Sequence, residues 1–257
     1  MAKVSIITIT FNAEKYLAKT MLSILNQVNV DFEYIIIDGN STDRTVDIIR
    51  QFEQEIKEKK FPNIAIENFR WISESDTGLY DAMNKGLNMA SGEFVWFMNS
   101  GDKIYDNQTL NAVQQIIENE PKIDVVYGQS LMIDKEDNHL GERHKIAPKT
   151  LSKKDLLKGL VVCHQSIVVR KSIAPQYNLK YKISADYDWV NTVLSLSKKN
   201  IYLDQYLSKF MIAGISSVHR KKSWQERFEI MKRNFGLPAT LWAHFVILIK
   251  YPFTKKY

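Results

Sequence analysis

Three runs most constrain what this chain can fold into: VSIITIT at Val4–Thr10, FEYIIID at Phe32–Asp38 and FVWFM at 94–98. Each is almost continuously apolar and rich in β-branched or aromatic residues. Continuous rather than alternating apolarity marks a strand buried on both faces, as in a parallel sheet covered by helices. Between and after these runs the period changes. Residues 13–27, 43–59, 79–90 and 107–119 carry apolar residues at helical spacing, and 64–73 and 123–127 read as two further strands. The resulting β-α-β-α-β-α-β-α-β order predicts an α/β fold with a mainly parallel central sheet flanked by helices. Beyond Gly128 the rhythm breaks. A hairpin is expected over 128–142, a strand over 160–169, a helix over 186–196, a strand or strand pair over 202–212, and helices at 223–234 and 239–250. Hydrophobic residues make up 45% of the 257 and charged residues 25%, so disorder is excluded as the main theme. A lone cysteine excludes a disulfide framework and a cysteine zinc site.

Charge divides the chain unevenly. From His219 onward there are nine Lys or Arg and two Asp or Glu, a net +7, and the preceding 218 residues are near neutral. That tail interleaves its cations with Trp224, Phe228, Phe235, Trp242, Phe245 and Phe253. Basic residues beside Trp and Phe suit the headgroup region of an anionic membrane. The alternative is a C-terminal helix docked on the protein's own core. The expected division is 1–218 as the main domain, in halves 1–127 and 128–218, with 219–257 as basic amphipathic helices. The opening MAKVSIITITFN reads as a first strand rather than a signal peptide, and no stretch reaches the ~20 apolar residues of a membrane span. The expectation is therefore a cytoplasmic protein, peripheral on the inner face of the membrane. No nucleic-acid motif appears, and nucleic acid is not expected as a partner.

In an open α/β sheet, ligands bind beyond the carboxyl ends of the strands. Here those ends carry TFN, DGNSTD and NSGD. Neither GxGxxG nor GxxxxGK[ST] follows the first strand, which speaks against dinucleotide binding and P-loop chemistry. Asp38 can accept a hydrogen bond from a base or ribose, or cap its turn with Ser41 and Thr42. Asp102 can ligate Mg²⁺ or Mn²⁺ through oxygen, or serve as a turn residue. Asp186 and Asp188 open a helix and can be caps or a general base, and positions two apart do not share a helix face. Trp71, Trp96 and Trp189, with Met83, Met89 and Met98, read as core or pocket wall.

Taken together, VSIITITFN, IIIDGNSTDRT, SESDTGLYDAMNKGL, FMNSGD, CHQ and SADYDW, in this order and spacing, resemble the family-2 glycosyltransferases of GT-A fold. The resemblance covers Val4 to about Ser217 and is nearest the bacterial subgroup that builds exopolysaccharide of the colanic-acid type, O-antigen and capsule. It implies an inverting transfer from a nucleoside-diphosphate sugar, most readily a UDP-sugar, to a hydroxyl of a saccharide or lipid-linked acceptor, with Mn²⁺ or Mg²⁺ as cofactor. By the same resemblance, Thr10 and Asn12 line the nucleotide pocket and Asp38 accepts from uracil N3–H. Asp76, Asp81, Asn84, Lys85 and Asn99 follow the nucleotide and its diphosphate. Asp102, with His219, holds the metal. His164 and Gln165 border the donor sugar and acceptor, and Asp186 is the base, with Asp188 open as an orienting or substitute group. The chain departs from the family pattern at Asn99 and Gly101, where acids are common, at Ala185, where a Glu is usual, and at Met83, where an Arg is frequent. Two other classes remain. A nucleotidyltransferase would need a Gly-rich basic loop where this chain has TFNAEKYL. A non-catalytic sugar-nucleotide or glycan-binding module would not need both Asp102 and Asp186.

Overall fold

The computed structural model describes residues 3–212 and 220–250. One curled, nine-stranded sheet runs through it in the order β3-β2-β1-β4-β8-β6-β9-β5, with β7 paired to β6. The first half is parallel throughout: β1 (Val4–Thr10), β2 (Phe32–Asp38), β3 (Phe69–Ser73) and β4 (Phe94–Phe97). Every residue of β1, β2 and β4 is buried, as their continuous apolarity requires. Alternate residues feed two separate cores. Val4 and Ile6 face α1 (Leu17–Leu25), α2 (Thr45–Lys57) and α4 (Thr109–Asn119), while Ile7 and Ile9 face α3 (Leu79–Met89) and α5 (Ala185–Leu196). Trp96 and Trp189 are core residues.

The second half departs from a simple β-α repeat. β8 (Ile167–Arg170) lies antiparallel between β4 and β6 (Val125–Ile133). It arrives through turns rather than a crossover helix, so nothing forces it parallel. Only its last residues form a strand, because 160–166 is spent on loop and a 3-10 turn at His164–Ser166. β6 continues through Gly128, where its register against β9 shifts and a Cβ would lie 2.7 Å from the Gln205 carbonyl oxygen. The glycine marks close approach of a neighbouring strand, and the strand expected to end at 127 continues to Ile133, while the β-α rhythm does break beyond it. β6 and β7 (His139–Glu142) form the expected hairpin. β9 (Asn200–Met211) is one long strand parallel to β6, and a two-residue strand, β5 (Lys103–Ile104), pairs with it. The third strand begins at Phe69, later than its apolar sequence suggests, because Ile66–Asn68 closes a 3-10 turn.

Two helices close the described chain, α6 (Arg220–Phe235) and α7 (Leu237–Lys250), with Gly236 between them at φ +80°. Ile230 and Met231 of α6 and Ala243 of α7 join the core that contains α3 and α5. The docked arrangement is therefore realised. No helix among the described residues is long and apolar enough to cross a membrane.

Candidate active site

The carboxyl ends of β1, β2 and β4 converge, and their loops are tied together. Asn12 adopts a left-handed φ of 47°. Its amide N–H donates to Ser41 Oγ, and its side-chain oxygen accepts from the Thr42 N–H at 2.9 Å. Asp38 is fully buried. Its carboxylate accepts from the Ser41 N–H at 2.9 Å, from the Ser41 hydroxyl and from Ser73 Oγ at 2.6 Å. The turn-capping reading of Asp38 is thus satisfied, with Ser73 in place of Thr42. Asp76 closes over Gly39, where a Cβ would sit 2.6 Å from Asp76 Oδ2 and 3.3 Å from the exposed Phe11 ring. A side chain there would push the Asp76 carboxylate aside. Asp81, in the first turn of α3, accepts from the Thr77 N–H, and that bond holds its carboxyl below the usual range.

Two residues expected along the diphosphate are committed elsewhere. Asn84 donates to the Tyr177 carbonyl at 3.0 Å and accepts from the Tyr177 N–H at 2.7 Å. Lys85 donates to the Ser75 carbonyl and pairs with Glu74 at 2.8 Å. Both hold neighbouring backbone and loop in place.

Asp102 follows β4 in a tight turn. Gly101 there has φ +101°, and a Cβ on it would meet Met211 Cε at 2.4 Å. The Asp102 carboxylate accepts from Gln165 Nε2 at 2.8 Å and from the Met211 N–H at 2.9 Å. Burial pushes its pKa up to about 7, and these two bonds only partly offset that. Three polar oxygens close by in sequence or strand order are buried without a hydrogen-bond partner: Thr10 Oγ1, Asn99 Oδ1 and Ser100 Oγ. An unsatisfied buried oxygen is costly, and such atoms ask for an explanation. One buried carboxylate, with unpartnered neutral oxygens at the ends of the neighbouring strands β1 and β4, offers the donor types that fit a hard divalent cation. It does so only as part of a coordination sphere, since the described residues contain no cluster of three or more His, Cys, Asp or Glu suited to a metal. His219 lies outside the described residues.

Asp186 opens α5, partly buried. Its Oδ1 accepts from the Tyr187 N–H at 2.7 Å and lies 3.5 Å from the Tyr80 hydroxyl. Its charge reaches His164, Tyr80 and Tyr177. His164 is buried against Phe97, Tyr177 and Trp189, with its Nε2 2.5 Å from the Tyr177 hydroxyl. Burial lowers its pKa to about 4. His164 and Gln165 therefore support the site from behind, one beside Asp186 and the other on Asp102. Asp188 turns away and pairs with Arg233 of α6, as positions two apart on a helix demand.

Several supporting residues gave no signal in sequence. Glu226 of α6 is buried, and its carboxylate accepts three consecutive backbone N–H groups, Lys182, Ile183 and Ser184, each at 2.9 Å. On the other side of that segment the Tyr80 hydroxyl donates to the Ile183 carbonyl at 2.8 Å. The entry to α5, and so the position of Asp186, is held from both α3 and α6.

Comparison with known proteins places the chain in a family and a fold. Residues 5–177 match the family model for glycosyl transferase family 2. A "PGL/p-HBAD biosynthesis glycosyltransferase" of Mycobacterium bovis is 34% identical over 190 residues, spanning 72% of this chain and 67% of the relative. Among solved structures, S. aureus TarS 1-349 superposes with a TM-score of 0.71 at 19% identity, over 99% of this chain and 75% of that one. The mannosyltransferase PcManGT from Pyrobaculum calidifontis, in complex with GDP-Man and Mn²⁺, superposes with a TM-score of 0.61 at 14% identity, over 96% and 75%. The structural likenesses establish the GT-A fold. With a family model spanning most of its length and a relative of this identity, the chain belongs to glycosyl transferase family 2.

Proposed function

We propose that this glycosyltransferase transfers a sugar from a UDP-sugar, with inversion, to a hydroxyl of a saccharide or lipid-linked acceptor during assembly of a bacterial surface polysaccharide. The observation that carries the reading is the bridge between two carboxylates. The 163–166 turn sets Gln165 on Asp102 and packs His164 within reach of the charge on Asp186. A donor diphosphate at Asp102 and an acceptor hydroxyl at Asp186 would then lie on either side of one rigid turn. Uridine is favoured because S. aureus TarS, of the same fold, is known in complex with UDP and with UDP-GlcNAc.

In this mechanism Asp186 takes the proton from the acceptor hydroxyl as that oxygen attacks the anomeric carbon, and no covalent enzyme intermediate forms. A positioned base contributes about 10²–10⁴-fold. Asp102, with Asn99 and Ser100 beside it, would hold Mn²⁺ or Mg²⁺, which supplies Lewis-acid stabilisation of the departing diphosphate. Thr10, Asn12 and Asp76 line the nucleotide cleft, and the buried Asp38 fixes its floor through Ser41 and Ser73. The exposed face of α7 holds the enzyme against the inner face of the membrane, where a lipid-linked acceptor is found.

The test is a thermal-shift screen against UDP, GDP, dTDP and CMP, with and without Mn²⁺, followed by transfer assays. Ligand at ~100 times its Kd stabilises by about 2.7 kcal/mol. A metal-dependent shift with UDP is expected, lost in Asp102→Ala, with transfer abolished in Asp186→Asn while the UDP shift persists. A metal-dependent shift with GDP alone would overturn the uridine assignment, and near-normal turnover of Asp186→Asn would remove the base from Asp186.

A further inference from the structure

A second charged cluster lies beside Tyr187 of α5 and the 159–160 segment, and the reaction outlined above does not use it. Arg143 follows β7, Lys145 lies two residues on, and Arg227 follows Glu226 on α6. All three act electrostatically on His144. None of them forms an ion pair with an Asp or Glu among the described residues, although acids pair with many other cations of this protein. The segments 213–219 and 251–257, AGISSVH and YPFTKKY, contain no Asp or Glu side chain that could neutralise them.

The cluster is built into the fold. Gly159 has φ +92°, which favours a glycine, and a Cβ there would lie 2.2 Å from Lys145 Nζ, so the ammonium packs against the glycine backbone. Arg143 donates to the neighbouring Leu160 carbonyl. The Arg227 guanidinium lies over the Tyr187 ring, 5.9 Å from its centroid, and its buried Nε has no hydrogen-bond partner. Tyr187 is the residue after Asp186, and Glu226, beside Arg227, orders the entry to α5. Burial, reinforced by Arg227 and Arg143, lowers the Lys145 pKa to about 8. A half-buried cation beside two guanidinium groups, with no Asp or Glu paired to it among the described residues, is costly, and an anion relieves that cost. Arginine forks suit phosphate oxygens. The root of α6 is also next to the helix whose apolar side chains Leu241, Trp242, Phe245 and Ile249 are exposed.

We propose that Arg143, Lys145 and Arg227 form an anion site for a diphosphate other than the donor's, the one borne by the acceptor. This rests on the glycosyl-transfer reading. Two or three negative charges of a diphosphate match three cations, and its position beside α5 would set a linked sugar near Asp186.

The experiment is calorimetric titration of the full chain with inorganic pyrophosphate in EDTA, so that metal-dependent donor binding is silent. Binding is expected in the wild type and in Asp102→Ala, and at least tenfold weaker in Lys145→Met and Arg227→Gln. Lys145→Met keeps the stem and removes only the half-buried charge, so its Tm without ligand should not fall. No binding by the wild type, equal binding by both cluster variants, or loss of binding in Asp102→Ala would each overturn the site. Should Lys145→Met weaken UDP with Mn²⁺ tenfold, the cluster serves the donor and the proposal falls. Sedimentation with phosphatidylcholine vesicles, with and without an alkyl diphosphate lipid, separates the sources. Diphosphate-dependent capture, lost in Lys145→Met, assigns the lipid-borne group, and a response to soluble pyrophosphate alone upholds the site for a free one. These arms need no turnover. A wild type that transfers no sugar would overturn the functional reading and leave the titrations to decide the site.

Discussion

Asp102 sits where an acid is expensive. Burial raises its pKa from 3.8 to about 7, so the folded protein binds more protons there than the unfolded chain does between those values. The cost of ionising it therefore grows as pH rises from about 4 to about 7 and is fully present above pH 7. His164, lowered from 6.5 to about 4, works in the opposite sense, and its contribution to stability is lost as pH falls through that window. Replacing the acid isolates its share. Asp102→Asn without metal should raise Tm at pH 8 by the equivalent of about 1–2 kcal/mol, or roughly 2–8 °C for a chain of this size. The advantage should shrink steadily toward pH 4. A Tm difference that stays flat from pH 4 to pH 8 in differential scanning fluorimetry would contradict the burial account. A carboxyl whose pKa is raised this far by burial is the kind of group that functional sites hold.

At the scale of elements, α6 does the unexpected work. Its sequence, RKKSWQERFEIMKRNF, looks like a solvated basic helix. Its two acids are nevertheless used specifically: Glu226 accepts from three successive N–H groups ahead of Asp186, and Glu229 pairs with Lys180. Arg233 pins Asp188 one turn further along. A hydrogen bond to a charged group contributes about 1.5–3 kcal/mol, and displacement of a catalytic group by about 1 Å can cost 10²-fold. Glu226→Ala should lower kcat at least tenfold with donor KM unchanged within about twofold, and Glu226→Gln, which keeps one acceptor oxygen, should fall between. Hydrogen exchange should quicken at Lys182–Ser184 and not in β1–β4. A raised donor KM with unchanged kcat would show that Glu226 shapes the donor cleft and not the base.

Across the whole molecule, the C-terminal helices turn two faces to different environments. One joins the core through Ile230, Met231 and Ala243, and the other leaves Leu241, Trp242, Phe245 and Ile249 between 52% and 66% exposed. Leu237, Leu241, Phe245 and Ile249 recur every four residues, a stripe along α7. Apolar residues flanked by a net +7 favour an anionic bilayer. Flotation with anionic liposomes should carry the full chain, and carry much less of a form lacking 239–257 or of Trp242→Ser with Phe245→Ser. Equal flotation of all three would refute the membrane assignment.

Apolar periodicity by itself determined the strand and helix order of the first half, because strands buried on both faces and amphipathic helices have unmistakable spacing. Strand ends and helix starts, visible locally, placed Asp102 after β4 and Asp186 at the start of α5, and the roles proposed for them came from the resemblance in motif order. Tertiary structure alone decided the rest. The antiparallel entry of β8, the continuation of β6 through Gly128 and the pairing of β5 depend on partners far away in sequence. So do the retirement of Asp188 to Arg233, of Asn84 to the Tyr177 backbone and of His164 to an aromatic cluster. Glu226 and the Arg143–Lys145–Arg227 group were invisible for the same reason. A side chain's role is set by what is brought against it, and contacts between residues far apart in the chain leave no period in a sequence.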